Sequence, residues 1–241
     1  MSEFKFPTEV IELPSKGLLY PKDNPLSSGK VEMKYMTARE EDILTNQSYI
    51  NKGTVLDELL KSLIVSPINI KDLIVGDKNA LLVAARVLGY GKDYSFTYAG
   101  ESHEVDLSTL DNKPFDESIL VNGENNFSYT LPHSNTEITF KILTGHDEAK
   151  IDKEIEGLKK INKNSSPELS TRLKYIITSV GGDSETKSIR NFVDNYLLAR
   201  DSRALRQYIK EVQPDVDLTF TTDSDQEITI PINLNFFWPD L

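Results

Sequence analysis

With three histidines, 38 acidic side chains and no cysteine, this 241-residue chain has a narrow range of chemistry open to it. Without cysteine there is no disulfide, no thiol nucleophile and no thiolate metal site. His103, His133 and His146 are not at metal-ligand spacing from one another. The run Ser102-His103-Glu104-Val105-Asp106 begins like a zinc-protease motif, but Leu107 stands where the second histidine would be needed. Glu40, Glu41 and Asp42 form an acidic cluster that could hold a metal or move a proton. The same residues also suit a helix start, where carboxylates face the positive end of the helix dipole. Gly181-Gly182-Asp183 has no Lys-Ser or Lys-Thr pair after it in phosphate-loop register, and it reads as a helix stop. Carboxylate pairs are possible among so many acids, yet no nucleophile, base and orienting group stand together. No catalytic residue, cofactor or metal is expected, and the chain does not read as an enzyme.

The formal charge of −11 argues against a nucleic-acid partner, since phosphate binding needs a basic face. No apolar run approaches the roughly 20 residues that span a bilayer, so no membrane role is expected. The opening MSEFKFPTEV is charged and lacks the apolar core of a signal peptide. The expectation is a protein that stays in the compartment where it is made. Its length allows one large domain or two modest ones.

The elements follow from changes of period. Residues 1–30 read as an extended arm, because Pro7, Pro14, Gly17, Pro21, Pro25 and Gly29 prevent regular structure. Leu13, Leu18, Leu19, Tyr20 and Leu26 make that arm too apolar for a free linker. It must lie either on its own domain or on a partner. In the mixed region 31–110, Thr37-Ala38-Arg39-Glu40 is a capping box that starts a helix. Further helices are expected near Leu56–Val65 and Lys78–Leu88. A β-hairpin follows, with Tyr94, Phe96 and Tyr98 alternating on one strand and Val105 and Leu107 on the other.

Residues 111–126 read as a linker and the preferred domain boundary. Beyond it, in 127–241, Phe127, Tyr129 and Leu131 alternate, as do Ile138, Phe140 and Ile142. The chain is then expected to be helical in several pieces from Thr144, with one-sided stripes such as Leu169, Leu173, Ile176, Ile177 and Val180. A long closing hairpin is expected from Val216 to Phe236, with Pro231 marking an edge or a bend. The class is therefore α+β: an N-terminal arm and mixed helix and hairpin region, a helical middle and a C-terminal β-hairpin.

The ending INLNFFWPDL is unusually apolar. Alternation puts Phe236 on the buried face and Phe237 on the opposite one, where a partner would have to cover it. Trp238 returns to the inward phase, but Pro239 removes a ladder donor and ends the strand.

Several stretches resemble one family: LPSKGLLYPKDNPLSSGKVEMKYMTAREEDILTN, LDELLKSLIV, LIVGDKNALLVAARVLGYG, DSRALRQYIKEVQPDVDLTF and the terminal NFFWP. Together they resemble the baseplate hub assembly proteins, or tail assembly chaperones, of T-even-like contractile-tailed bacteriophages. The likeness covers most of the chain outside about 111–140. Many relatives carry a Cys-x-x-Cys pair in the turn of the last hairpin, similar to half of a zinc ribbon. This chain has Thr222-Asp223-Ser224-Asp225 there, so zinc does not carry over.

The resemblance implies a non-enzymatic factor in the host cell cytoplasm. It would bind another tail or baseplate hub protein, with the tape-measure protein a candidate, during virion assembly. The alternative is a structural subunit kept in the finished baseplate. In either case the candidate partner-binding residues are Leu13, Pro14, Lys16, Gly17, Leu18, Tyr20 and Pro21 of the arm, with Phe237 and Trp238 of the tail.

Overall fold

The prolines and glycines of the first 30 residues build turns. The computed structural model, which describes residues 7–121, 123–161, 167–222 and 225–237, shows no free arm over residues 7–30. Strand β1 (Thr8–Glu12) pairs antiparallel with β2 (Lys30–Lys34), Thr8 opposite Lys34 and Glu12 opposite Lys30. The loop between them folds back on itself, and the Leu13 amide donates to the Gly29 carbonyl at 2.8 Å. Gly17 has φ +80°, and a Cβ on it would lie 2.4 Å from the Ser27 carbonyl oxygen. Only glycine fits that crossing. Leu13, Leu19, Tyr20 and Leu26 are buried. The extended arm is thus corrected to a folded loop, because its apolar side chains gain more in the core than in solvent.

Helix α1 (Ala38–Leu44) starts at the expected box: the Thr37 amide and hydroxyl donate to Glu40 at 2.9 and 2.6 Å. Helices α2 (Gln47–Lys52) and α3 (Val55–Leu63) follow, and α3 buries Val55, Leu59, Leu60 and Leu63. Helix α4 (Val75–Tyr90) is longer than its apolar stripe suggests. The hairpin β3 (Asp93–Tyr98) and β4 (Glu101–Asp106) turns Tyr94 and Phe96 inward as expected.

Among its described residues the segment 111–126 has a short 3-10 turn, Glu117–Ile119, and isolated bridges from Asn112 to Val216 and from Leu120 to Phe127, and it is tied down. The Lys113 amide donates to the Asp215 carbonyl and the Asp217 amide to the Asp111 carbonyl, both at 2.8 Å. One cluster of buried side chains includes Leu13, Leu82, Phe127, Leu205 and Phe237, and so draws on both sides of that segment.

Strands β5 (Phe127–Thr130) and β6 (Glu137–Phe140) form the second expected hairpin. Helix α5 (Gly145–Ile161) packs Ile151 and Ile155 in a small second cluster with Leu143. Helix α6 (Glu168–Ile176) ends earlier than expected, and β7 (Ile177–Val180) pairs with β6 to complete a three-stranded sheet. The β-branched residues Ile177, Thr178 and Val180 suit a strand, and a helical stripe cannot be told from it by apolar spacing alone. Gly181 and Gly182, at φ +57° and +85°, therefore turn the chain out of a strand and do not end a helix.

Helices α7 (Thr186–Asn195) and α8 (Ala199–Val212) complete the helical part. The closing hairpin is short: β8 (Thr219–Thr221) pairs with β9 (Glu227–Thr229). Asp223 and Ser224 of its turn lie outside the described residues. Past Thr229 the chain leaves the sheet, and Leu234–Phe237 is a 3-10 turn. Strand alternation no longer applies there, so Phe236 and Phe237 are both fully buried. The expectation of a solvent-facing Phe237 is corrected on that ground. Trp238 lies outside the described residues.

Candidate functional site

The stretch Ser15-Lys16-Gly17-Leu18-Leu19-Tyr20 is wrapped around one carboxylate. Asp77, in the first turn of α4, accepts from the Ser15 amide at 2.9 Å, the Ser15 hydroxyl at 2.6 Å and the Tyr20 phenol at 2.6 Å. The Tyr20 oxygen accepts in turn from the Ile74 amide at 3.1 Å. Asp77 and Ser15 have no solvent exposure. Burial pushes the Asp77 carboxyl above its ordinary value, against the pull of the Ser15 and Tyr20 donors, and the Asp215 charge adds to the rise. Burial and the neighbouring Asp77 carboxylate push the Tyr20 phenol far up, so it stays a donor.

The first turn of α4 also holds a second segment. A Cβ on Gly76 would lie 1.9 Å from the Pro214 carbonyl oxygen, so residues 214–216 run directly against the helix. Asn79 donates to Asp215 at 3.1 Å. Asp215 is also buried, and desolvation raises its carboxyl while Asn79 opposes the rise.

A serine hydroxyl, a carboxylate and a phenol in one network have the composition of a catalytic site. Their geometry does not have its access. The Ser15 hydroxyl donates to Asp77 and accepts from the Gly17 amide at 3.1 Å, so it is fully engaged behind the loop it holds. What this arrangement can do is fix the backbone of residues 13–29 against α4.

Outside this anchor is a cleft of about 400 Å³, whose lining includes Leu13, Pro14, Lys16, Lys30, Lys113 and Phe115. Lys16 is exposed at φ +52° and forms no ion pair among the described residues. Among the described residues, Lys30 makes an exposed pair with Glu12 at 3.2 Å. The cleft lining therefore combines three lysines with Pro14, Pro114 and the Phe115 ring.

The candidate partner-binding residues separate accordingly. Leu13, Pro14, Gly17 and Tyr20 are buried, Leu18 is half-buried, and Lys16 and Pro21 are exposed. Leu13 and Pro14 still reach the cleft, whereas Tyr20 serves the anchor. Partner contact through Gly17 or Tyr20 is corrected: one is closed off by the Ser27 carbonyl and the other is bonded to Asp77. Phe237 is closed off at the other end of the core. Its ring meets Phe236 edge-on at 5.4 Å, and Phe236 meets Tyr94 at 4.8 Å. Arg86, itself nearly buried, donates from Nε to the Phe236 carbonyl at 3.1 Å. Its other nitrogens donate to the Gly91 and Asp93 carbonyls at 3.0 and 3.2 Å.

Asp77, Lys30, Lys113 and Phe115 were not singled out from sequence. Asp77 looks like an ordinary first-turn carboxylate, and the only hint was that it follows a glycine in an otherwise apolar helix start. The histidines remain apart: His103 packs against Phe96 and Phe220, and His146 pairs with Asp72 at 3.0 Å. Among the described residues no group of three His, Asp or Glu side chains is placed to hold a metal. Among those residues, no helix is long and apolar enough to cross a membrane. In comparison with known proteins, no family model, no curated protein and no solved structure matches the chain.

Proposed function

We propose that this chain is a non-enzymatic assembly factor of a contractile phage tail. It acts in the host cytoplasm by binding another tail or baseplate hub protein, the tape-measure protein being one candidate client. The resemblance of LPSKGLLYP and its companion stretches supports the biological setting. The observation that carries the binding role is the buried Ser15–Asp77–Tyr20 anchor, which holds a surface loop in one shape beside an open, lysine-lined cleft. A preformed loop binds without having to be ordered first, which favours affinity. The same anchor leaves its serine with no route to a substrate, which favours a binding module over an enzyme.

The test is capture of tail proteins from infected cells by tagged protein, comparing the native chain with Lys16→Glu and Lys113→Glu. The reading expects one tail or hub protein to be retained by the native chain and lost from both variants at unchanged melting temperature. Equal capture by all three would remove the cleft from the reading. Purified particles carrying a fixed number of copies would make the chain a structural subunit.

A further inference from the structure

Helix α8 borders a second surface, unconnected with the loop of residues 13–29. A cleft of about 330 Å³ opens between α6, α7 and the start of α8. Leu169, Leu173, Val193, Leu197, Ala199 and Ser202 line it. Leu169 at its side is 47% exposed, and the preceding loop leaves Leu198 and Tyr196 at 49% and 64%. Single exposed apolar residues are ordinary, but here Leu169 lines the cleft and Tyr196 and Leu198 flank Leu197, another residue of its lining.

Charge is the further observation that points to a ligand. Ala199 and Ser202 are three residues apart on α8, and Arg200 and Arg203 follow each of them by one, about 100° further round the helix. Both arginines are exposed and neither forms an ion pair with a described residue. Asp201, the nearest carboxylate in sequence, does not compensate them. It has no exposure, and it accepts from the His133 and Ser134 amides at 2.8 and 3.0 Å. Arg206 continues the exposed row. A chain with a formal charge of −11 thus keeps uncompensated guanidinium groups beside an apolar cleft.

We propose that this surface docks an acidic, amphipathic segment of another protein. One apolar side chain of that segment enters the cleft, and its carboxylates face Arg200 and Arg203. Charge complementarity selects this occupant. A second copy of the chain would bring another −11 with it, and net repulsion disfavours that encounter. A nucleic acid would need a longer basic stripe than one helix face supplies.

Fluorescence anisotropy on the full chain tests the proposal with two labelled, end-capped peptides of one apolar pattern, Glu-Glu-Leu-Phe-Glu-Glu-Leu and its counterpart with lysine at every acidic position. The acidic peptide should bind and the basic one should not. The double variant R200E/R203E should raise Kd about tenfold or more, as should Ala199→Trp, which fills the cleft from its exposed edge. Absence of acidic-peptide binding, or equal binding of both peptides, would overturn the proposal. So would a concentration-dependent dimer in sedimentation that R203E abolishes, or tighter binding of a single-stranded oligonucleotide through the same arginines.

Discussion

The phenol of Tyr20 donates to Oδ2 of Asp77 at 2.6 Å while its own oxygen accepts from the Ile74 amide at 3.1 Å, and among the described residues no cation pairs with that carboxylate. A buried acid held only by neutral donors is sensitive to the loss of any one of them. Tyr20→Phe and Ser15→Ala should each cost about 1–3 kcal/mol, the usual penalty for leaving a buried polar group short of a partner. The Asp77 carboxyl is pushed up in the folded chain, so the folded state holds that proton more tightly than the unfolded one. Its contribution to stability is therefore present below the unfolded value of 3.8 and lost as pH rises through the folded value. Urea melts of the native chain and Asp77→Asn across pH 3–7 should show the difference between them changing in that sense.

Two other carboxylates act in the opposite direction. Burial would raise Glu40, but the Ser62 and Thr37 hydroxyls and the Lys34 ammonium outweigh it and hold the carboxyl at about 2. Glu154 is also brought to about 2, chiefly by the two-pronged bond from Arg190 at 2.7 Å, with the Tyr175 hydroxyl donating as well. Both contributions are present above the ordinary value of 4.5 and are lost as pH falls through about 2. Stability should accordingly drop between pH 4.5 and 2. Glu40→Gln should make that drop shallower and cost about 1–3 kcal/mol at neutral pH. A native acid limb as steep as the variant's would remove Glu40 from the account.

The approach of residues 214–216 to α4 depends on Gly76. A Cβ there would overlap the Pro214 carbonyl oxygen, and backbone cannot rotate away as a side chain can. Gly76→Ala should destabilise by more than about 1 kcal/mol even though alanine is the better helix former, the reverse of its effect at an open helical glycine. Gly157 in α5, where an added Cβ meets nothing within 4 Å, is the control, and alanine there should raise the melting temperature. Thermal unfolding of the two variants side by side decides it.

How much of this was legible in the sequence depends on the range of the interaction concerned. The capping box at Thr37 and Glu40, the hairpin at Tyr94 and Phe96, and the alternation at Phe127 and Phe140 are local signals, and each element forms where they place it. Ile177–Val180 was misread as helix because a strand and a buried helical edge present the same apolar residues. The pairing with β6 that decides between them is some 40 residues away in sequence. The loop around Asp77 was misread as an arm for a similar reason. Glycine and proline exclude regular structure, but they do not say whether the turns they make close on a core. Asp77 is 57 residues from Tyr20 and 62 from Ser15 in the network that closes it. The lysines of the cleft come from positions 16, 30 and 113, and no spacing rule links them.

The last question is the aromatic terminus. Strand alternation would leave Phe237 in water, and Phe237→Ala would then be silent for stability. The 3-10 turn at Leu234–Phe237 puts both rings inside, Phe236 against Tyr94 and Phe237 against Phe236. Phe236→Ala and Phe237→Ala should therefore each cost about 3–5 kcal/mol, the range for removing a core phenylalanine. The pair should not be additive, because each ring forms part of the other's packing. Arg86 extends the test. Its guanidinium caps this end of the core by donating to three backbone carbonyls, and burial pulls its pKa down against the opposing influence of the Tyr94 and Tyr90 phenols. Arg86→Met would keep much of the side-chain volume but leave the Phe236, Gly91 and Asp93 carbonyls without those donors, and should cost about 1–3 kcal/mol. Chemical denaturation of the three single variants and the Phe236→Ala/Phe237→Ala double measures all four quantities. A silent Phe237→Ala beside a costly Phe236→Ala would restore the alternating strand and return Phe237 to the surface.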